Sequence, residues 1–257
     1  MKPRHSLASL LLAGSFATLV ISAALPAAEG PPRIDPQAIA HLKRMSASLA
    51  AAKALTFKST SAMEVASNAG QFLTLFSAAE VALKRPDKLR VQLSGEAPHF
   101  DFYYDGITAA AYAPGARVYS AAKAPPTVDA MLAGLEAETE IRFPSMPLLF
   151  SDPSSVLERG VSRAFVAGPV TVRGVPCVHL AFQSPGVNWE IWIESGSRAL
   201  PQRLAVTYTD RANFPRTLVE FSDWNLSPWL RDGSFAFRTP AGAKGIPFHS
   251  VLKSAGR

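Results

Sequence analysis

The chain has one cysteine, Cys177, in 257 residues. A lone thiol excludes an intramolecular disulfide framework, so packing alone must hold the core. No lysine- and arginine-rich run of the kind that tracks a phosphate backbone occurs, which argues against a nucleic-acid partner. There is no Gly-x-Ser-x-Gly elbow, no phosphate-binding loop and no His-Glu-x-x-His. Past residue 28 the histidines are His41, His99, His179 and His249. They are scattered without ligand spacing, so neither a metal site nor a cofactor is expected. Asp101 and Asp105 flank Phe102-Tyr103-Tyr104 as ordinary strand-end carboxylates rather than an acid/base pair. Cys177 and His179 are two residues apart in an apolar run, Val175 to Leu180, and so share one face of a strand. Nothing else in the sequence supports a nucleophile there, and Cys177 reads as a buried structural thiol. The chain is read as non-catalytic.

What is present begins with an address. Residues 1–28 have a basic start (Lys2, Arg4, His5), an apolar run from Leu7 to Ile21, and small residues leading to Pro26. This is the layout of a secretory signal peptide. The run is broken by Ser9, Gly14, Ser15 and Thr18, and falls short of the roughly 20 apolar residues a membrane anchor needs. Cleavage is expected between Ala24 and Ala28. No cysteine lies at the junction to be lipidated. The expected product, 29–257, is a soluble periplasmic protein of one domain. The formal charge of +6 falls to +4 without Lys2 and Arg4, a mild excess that suits a solvated surface or transient contact with an anionic membrane.

Periodicity sets the fold class. Asp35-Pro36 reads as a helix start, followed by Ile39, Leu42, Met45 and Leu49 at helical spacing. From Leu55 the period changes to two. Strands are expected near 55–65, 71–83, 89–94, 100–104, 108–113 and 117–121, with turns at Asn68-Ala69-Gly70, Arg85-Pro86-Asp87-Lys88, Asp105-Gly106 and Pro114-Gly115. Thr127 then caps a helix reaching about Glu140, and an apolar loop with Met146, Leu148, Leu149 and Phe150 leads to a short helix at 154–159. Strands resume at 164–172, 175–183, 187–194, 202–209 and 217–224. The reading is α+β: a large curved antiparallel sheet, a half-barrel of about 10–12 strands, with an N-terminal helix and a central helical lid on its concave face. Several strands are apolar on both sides, above all 71–83. Either the second face is partly covered or the sheet encloses an apolar cavity. Trp189 and Trp192 point to opposite faces, the first into core or cavity wall, the second toward a surface or rim with Glu190 and Glu194.

Certain segments resemble the DUF2092 family of predicted periplasmic proteins. They are Arg85-Pro86-Asp87-Lys88-Leu89-Arg90, Phe102-Tyr103-Tyr104-Asp105-Gly106, Tyr119-Ser120-Ala121 with Ala124 to Asp129, Gly174 to Leu180, Val187 to Ile193, Leu200 to Leu204, and Phe235-Ala236-Phe237 before Pro240 to Ala243. That family is similar to the lipoprotein carriers of the LolA and LolB type. The resemblance implies a curled sheet with a helical lid over an apolar cavity for acyl chains. In the carriers a buried arginine ties the lid down, and no residue of this sequence marks itself for that role. The expected function is binding of a hydrophobic ligand, a lipid or a lipoprotein acyl chain, as carrier or sensor. The alternative is a non-catalytic interaction or regulatory module of the cell envelope. The expected ligand-binding residues are Phe57, Met63, Leu73, Leu75, Leu93, Trp189, Ile191 and Ile193 of the sheet, with Met131, Leu135, Leu148 and Leu149 of the lid. The expected partner is a lipid or acylated protein.

Overall fold

The computed structural model describes residues 33–96, 99–138 and 144–247, the last three residues of the middle span by backbone alone. The expected signal peptide, the end of the central helix beyond 138 and His249 lie outside the described residues. The first helix, α1, runs Pro36–Ala51. Asp35 caps it by accepting the Gln37 amide at 2.8 Å, and Pro36 occupies the first turn, where a missing N–H costs nothing. Ala38, Leu42, Met45, Ser46 and Leu49 form its buried stripe. Each large side chain there contributes about 1.5–3 kcal/mol by leaving water.

The strands are β1 Ala54–Ala66, β2 Phe72–Lys84, β3 Lys88–Gly95, β4 Phe100–Tyr104, β5 Thr108–Ala113 and β6 Val118–Lys123, followed by α2 Val128–Glu138. A 3-10 turn at Met146–Leu149 and the short helix α3, Pro153–Leu157, form a strap. Strands β7 Arg163–Val172, β8 Val175–Ser184, β9 Val187–Glu194, β10 Pro201–Tyr208 and β11 Arg216–Asn225 complete the second arm, and β12 is the pair Lys244–Gly245. All twelve lie in one sheet, ordered β12-β6-β5-β4-β3-β2-β1-β11-β10-β9-β8-β7. Every neighbouring pair is antiparallel except β12 on β6. The sheet is curved and unclosed, as the sequence led us to expect. Two meanders grow outward from the β1–β11 pair, whose register joins Ser59 to Phe221 and Met63 to Thr217.

Period two decides which side chains turn inward. Phe57, Val81, Val91, Phe102 and Ala111 form one cross-strand row on the face that meets the helices. Phe57 is buried, stacked on Trp224 at 4.4 Å and edge-on to Phe221 at 5.8 Å. Helix α1 lies over the second arm, against β7, β9 and α3, while the Val128 amide at the start of α2 donates to the Pro86 carbonyl at 2.8 Å.

The doubly apolar strands have two separate explanations. On β4–β6 the outer face is covered by the C-terminal tail, where Phe237 sits among Tyr103, Tyr112 and Tyr119 at 5.3–6.5 Å. On β2 it is not covered, and Phe76 stands 60% exposed. The outer face of β7–β10 carries a smaller core of Val172, Cys177, Trp192 and Ala205. Trp192 is therefore buried rather than at a rim, sandwiched by the His179 ring at 4.1 Å and the Arg203 guanidinium at 5.5 Å.

A candidate apolar cleft beneath the strap

Between the strap and the inner face of β9–β10 lies an open-mouthed cleft of about 210 Å³. Met146, Pro147, Phe150, Val156 and Leu157 line it from the strap. Val187, Trp189, Leu204, Val206 and Tyr208 line it from the sheet, and Arg159 and Ser184 are the polar groups in its wall. The local sequence makes this geometry. Alternation in β9 and β10 sends Trp189, Leu204 and Val206 to one side. Pro147 and Pro153 prevent one continuous helix across the strap, so its apolar residues fold down over the sheet. Trp189 stacks flat on Phe182 at 3.9 Å, which fixes the cleft floor.

Two polar latches hold the strap. At one end, Arg85 is partly buried and donates from its two terminal nitrogens to the carbonyls of Leu149, at 3.1 Å, and Phe150, at 2.8 Å. Burial lowers its pKa from the ordinary arginine value, and the nearby Asp129 opposes that shift only in part. Arginine nonetheless stays charged. Asp129, on the first turn of α2, also accepts the Ser151 amide at 3.0 Å and its hydroxyl. At the other end, the buried Ser46 of α1 donates to Asp152 at 3.2 Å and accepts the Ser154 amide at 2.9 Å. Asp152 also caps α3 through the Ser155 amide. The Ser154 hydroxyl, then the Ser155 amide, pull its carboxyl below the ordinary range. Arg85 thus does what no residue had signalled in the sequence. Arg85-Pro86-Asp87 reads locally as a turn, and the two carbonyls it binds lie more than sixty positions away.

The twelve expected ligand residues separate into groups. Trp189 lines the cleft. Phe57, Leu93, Met131, Leu148, Leu149, Ile191 and Ile193 are buried in the main core, with Leu135 packed against it. Met63, Leu73 and Leu75 sit together toward the tip of the β1–β2 hairpin, Met63 opposite Leu75, and Leu73 is 45% exposed. The hairpin outruns β3, which ends opposite Ser77. The cleft residues that the sequence reading missed are Val187, Leu204, Val206 and Tyr208 on the sheet, with Met146, Phe150, Val156 and Leu157 on the strap. Alternation marked β9 and β10 as strands but not which end stays unfilled.

Cys177 and His179 do lie on one face, but their partners differ. The Cys177 thiol points to the Val175 carbonyl at 3.4 Å, and burial raises its pKa. The His179 Nε2 meets Glu190 at 2.9 Å, and Glu190 also binds Arg216 at 2.5 Å. Among the described residues no group of three His, Cys, Asp or Glu is placed to hold a metal, and no helix is long and apolar enough to cross a membrane.

No curated protein matches the chain in sequence. Among solved structures it is similar to the Mycobacterium tuberculosis lipoprotein LppX, with 12% identity and a TM-score of 0.48 over 74% of this chain and 96% of that one. It is also similar to a LolA superfamily protein from Nitrosomonas europaea (9% identity, TM-score 0.38, 78% and 97% covered). A third is LprF from Mycobacterium bovis (12% identity, TM-score 0.38, 82% and 99% covered). The DUF2092 model, described as a predicted periplasmic protein, matches residues 38–249, and the chain belongs to that family.

Proposed function

We propose that the protein is a periplasmic carrier or sensor that takes the apolar chain of a lipid or an acylated protein into the cleft beneath the strap. The proposal includes export by a signal peptide cleaved between Ala24 and Ala28, with 29–257 as the working domain. The observation that carries it is the unfilled, apolar-walled cleft beside the main core. Size then decides how it must work. About 210 Å³ holds roughly seven water-sized groups at ~30 Å³ each. Seven methylenes would contribute about 5–6 kcal/mol, no more than the roughly 4–15 kcal/mol that association costs. Tighter binding of a long chain needs more wall, which the strap supplies by swinging off the sheet and exposing Leu148, Leu149 and Ile191. The two latches would set the cost of that movement, and reclosure would expel or retain the chain.

The test is native mass spectrometry of protein purified from an exporting host without detergent, followed by solvent extraction. About one lipid or acyl species per chain is the expected result. A clean apo mass with no uptake of added lipid would refute the proposal. It would favour a cell-envelope interaction module instead, a reading supported by the exposed apolar side chains on β2, Leu73 and Phe76.

A further inference from the structure

The loop between β10 and β11 leaves the cleft wall at Tyr208 and returns at Arg216. Within it Asn213 and Phe214 both have left-handed backbones, at φ 59° and 52°. A bulky residue there is strained by about 1–3 kcal/mol. The Phe214 amide donates to the Arg211 carbonyl at 3.2 Å, and the Tyr208 amide to the Pro215 carbonyl at 3.1 Å, so the loop is braced rather than loose. The brace holds the Phe214 ring 60% exposed.

Arginines surround this end of the sheet. Arg159 lines the cleft, and Arg211 lies 4.3 Å over the Tyr208 ring that also lines it. Arg163 starts β7 opposite Gln183, and the Arg33 backbone carbonyl accepts the Ala164 amide beside it. All four are exposed, and none has a carboxylate partner among the described residues. The carboxylates at this end are Asp210, packed by Gly186, Glu64, which accepts the Arg216 amide, Glu190, held by Arg216 and His179, Glu158, paired with Lys43, and Asp35, which caps α1. The α3 end closes on the β8–β9 turn at Gly160 and Pro185, next to Ser184 of the cleft wall, so the arginines and Phe214 form a rim at the end of the sheet where the cleft lies, with Arg163 on its outer face, opposite in alternation to the buried Ala164.

We propose that this rim docks the cleft mouth onto an anionic phospholipid bilayer, with Phe214 entering the interface and Arg33, Arg159, Arg163 and Arg211 meeting lipid phosphates. The charges favour a bilayer as occupant. Four exposed guanidiniums at one end of the sheet, without a shaped pocket for any one anion, match a surface of mobile phosphates, and an aromatic tip among them matches the acyl boundary. The inference rests on the reading of the cleft as an apolar-chain site, because it says from where such a chain would enter.

The test is flotation of the full chain, as processed by an exporting host, with phosphatidylglycerol-containing vesicles and with pure phosphatidylcholine vesicles. Binding to the anionic vesicles that falls with added salt is expected. Arg33→Gln with Arg211→Gln, neither of which lines the cleft, should weaken it about 25-fold, at roughly fivefold per arginine. Phe214→Ser should weaken it roughly tenfold. Arg231→Gln, beyond the far end of β11, is the control and should change it less than twofold. Equal binding to both vesicle types, or an equal loss in the control, would overturn the proposal. Thermal midpoints within about 2 °C of the parent show that the variants fold, and Phe214→Gly serves if the serine variant does not. Lipid retained by the rim variants separates the two readings. Docking without any retained lipid would refute the cleft and leave the rim, and retained lipid without docking would do the reverse.

Discussion

Replacing Arg85 by methionine should release the strap while leaving the sheet intact. The change keeps the apolar stem and removes the two donors to Leu149 and Phe150. Hydrogen bonds from a charged donor contribute about 1.5–3 kcal/mol each, so roughly 3–6 kcal/mol of attraction is lost. Against this, the Arg85 Nε is buried without a partner among the described residues. Removing it recovers about 1–3 kcal/mol of desolvation. The net loss is then about 2–3 kcal/mol, a roughly 30- to 140-fold rise in the open population. Hydrogen exchange read by mass spectrometry reports this directly. Amides of 146–158, among them Leu148, Phe150 and Glu158, should exchange faster by that factor, while those of β8–β10 should not. Arg85→Lys, with one ammonium for two carbonyls, should fall between parent and methionine. A change below threefold in the strap, or an equal change throughout the sheet, would refute the assignment of Arg85 as a latch.

Filling the cleft should separate binding from folding. Val206→Phe is expected to abolish co-purifying lipid, at a stability cost of about 1–3 kcal/mol measured by urea denaturation. Phe57→Ala removes a fully packed ring that touches Trp224 and Phe221, and should cost about 3–5 kcal/mol without selective loss of lipid among the molecules that remain folded. Cys177 should resist a thiol reagent at pH 8 in the native protein and react once guanidinium unfolds it. Its pKa is raised by burial, so the neutral thiol's contribution is complete below the unfolded pKa and is lost as pH rises through the folded one. Cys177→Ala should remove that alkaline dependence. Asp152 has the opposite sign. Its lowered pKa stabilises the α3 latch above the ordinary carboxylate pKa, and that stability is lost as pH falls through the folded value. Asp152→Asn should remove this acid dependence of strap exchange.

Much of the architecture was legible because it depends on short-range pattern. The period-two runs and their turns placed eleven strands, and Asp35-Pro36 placed the start of α1, since caps and alternation are set by residues within a few positions. The twelfth strand is two residues long and could not be seen that way. The burial of Trp192 was not legible either, because His179 and Arg203 reach it from neighbouring strands. The cleft itself depends on which part of the sheet the strap leaves unfilled, and that is a sum over many side-chain volumes rather than a motif. The sequence by itself determined eleven strands, the start of α1 and the family, because these follow from local pattern along the chain. Only the tertiary structure decided that Arg85 grips the strap, that Met63, Leu73 and Leu75 lie at an open hairpin, and that Phe214 stands exposed on the β10–β11 loop. Each of those depends on contacts or free space between segments far apart in the chain, which no local period encodes.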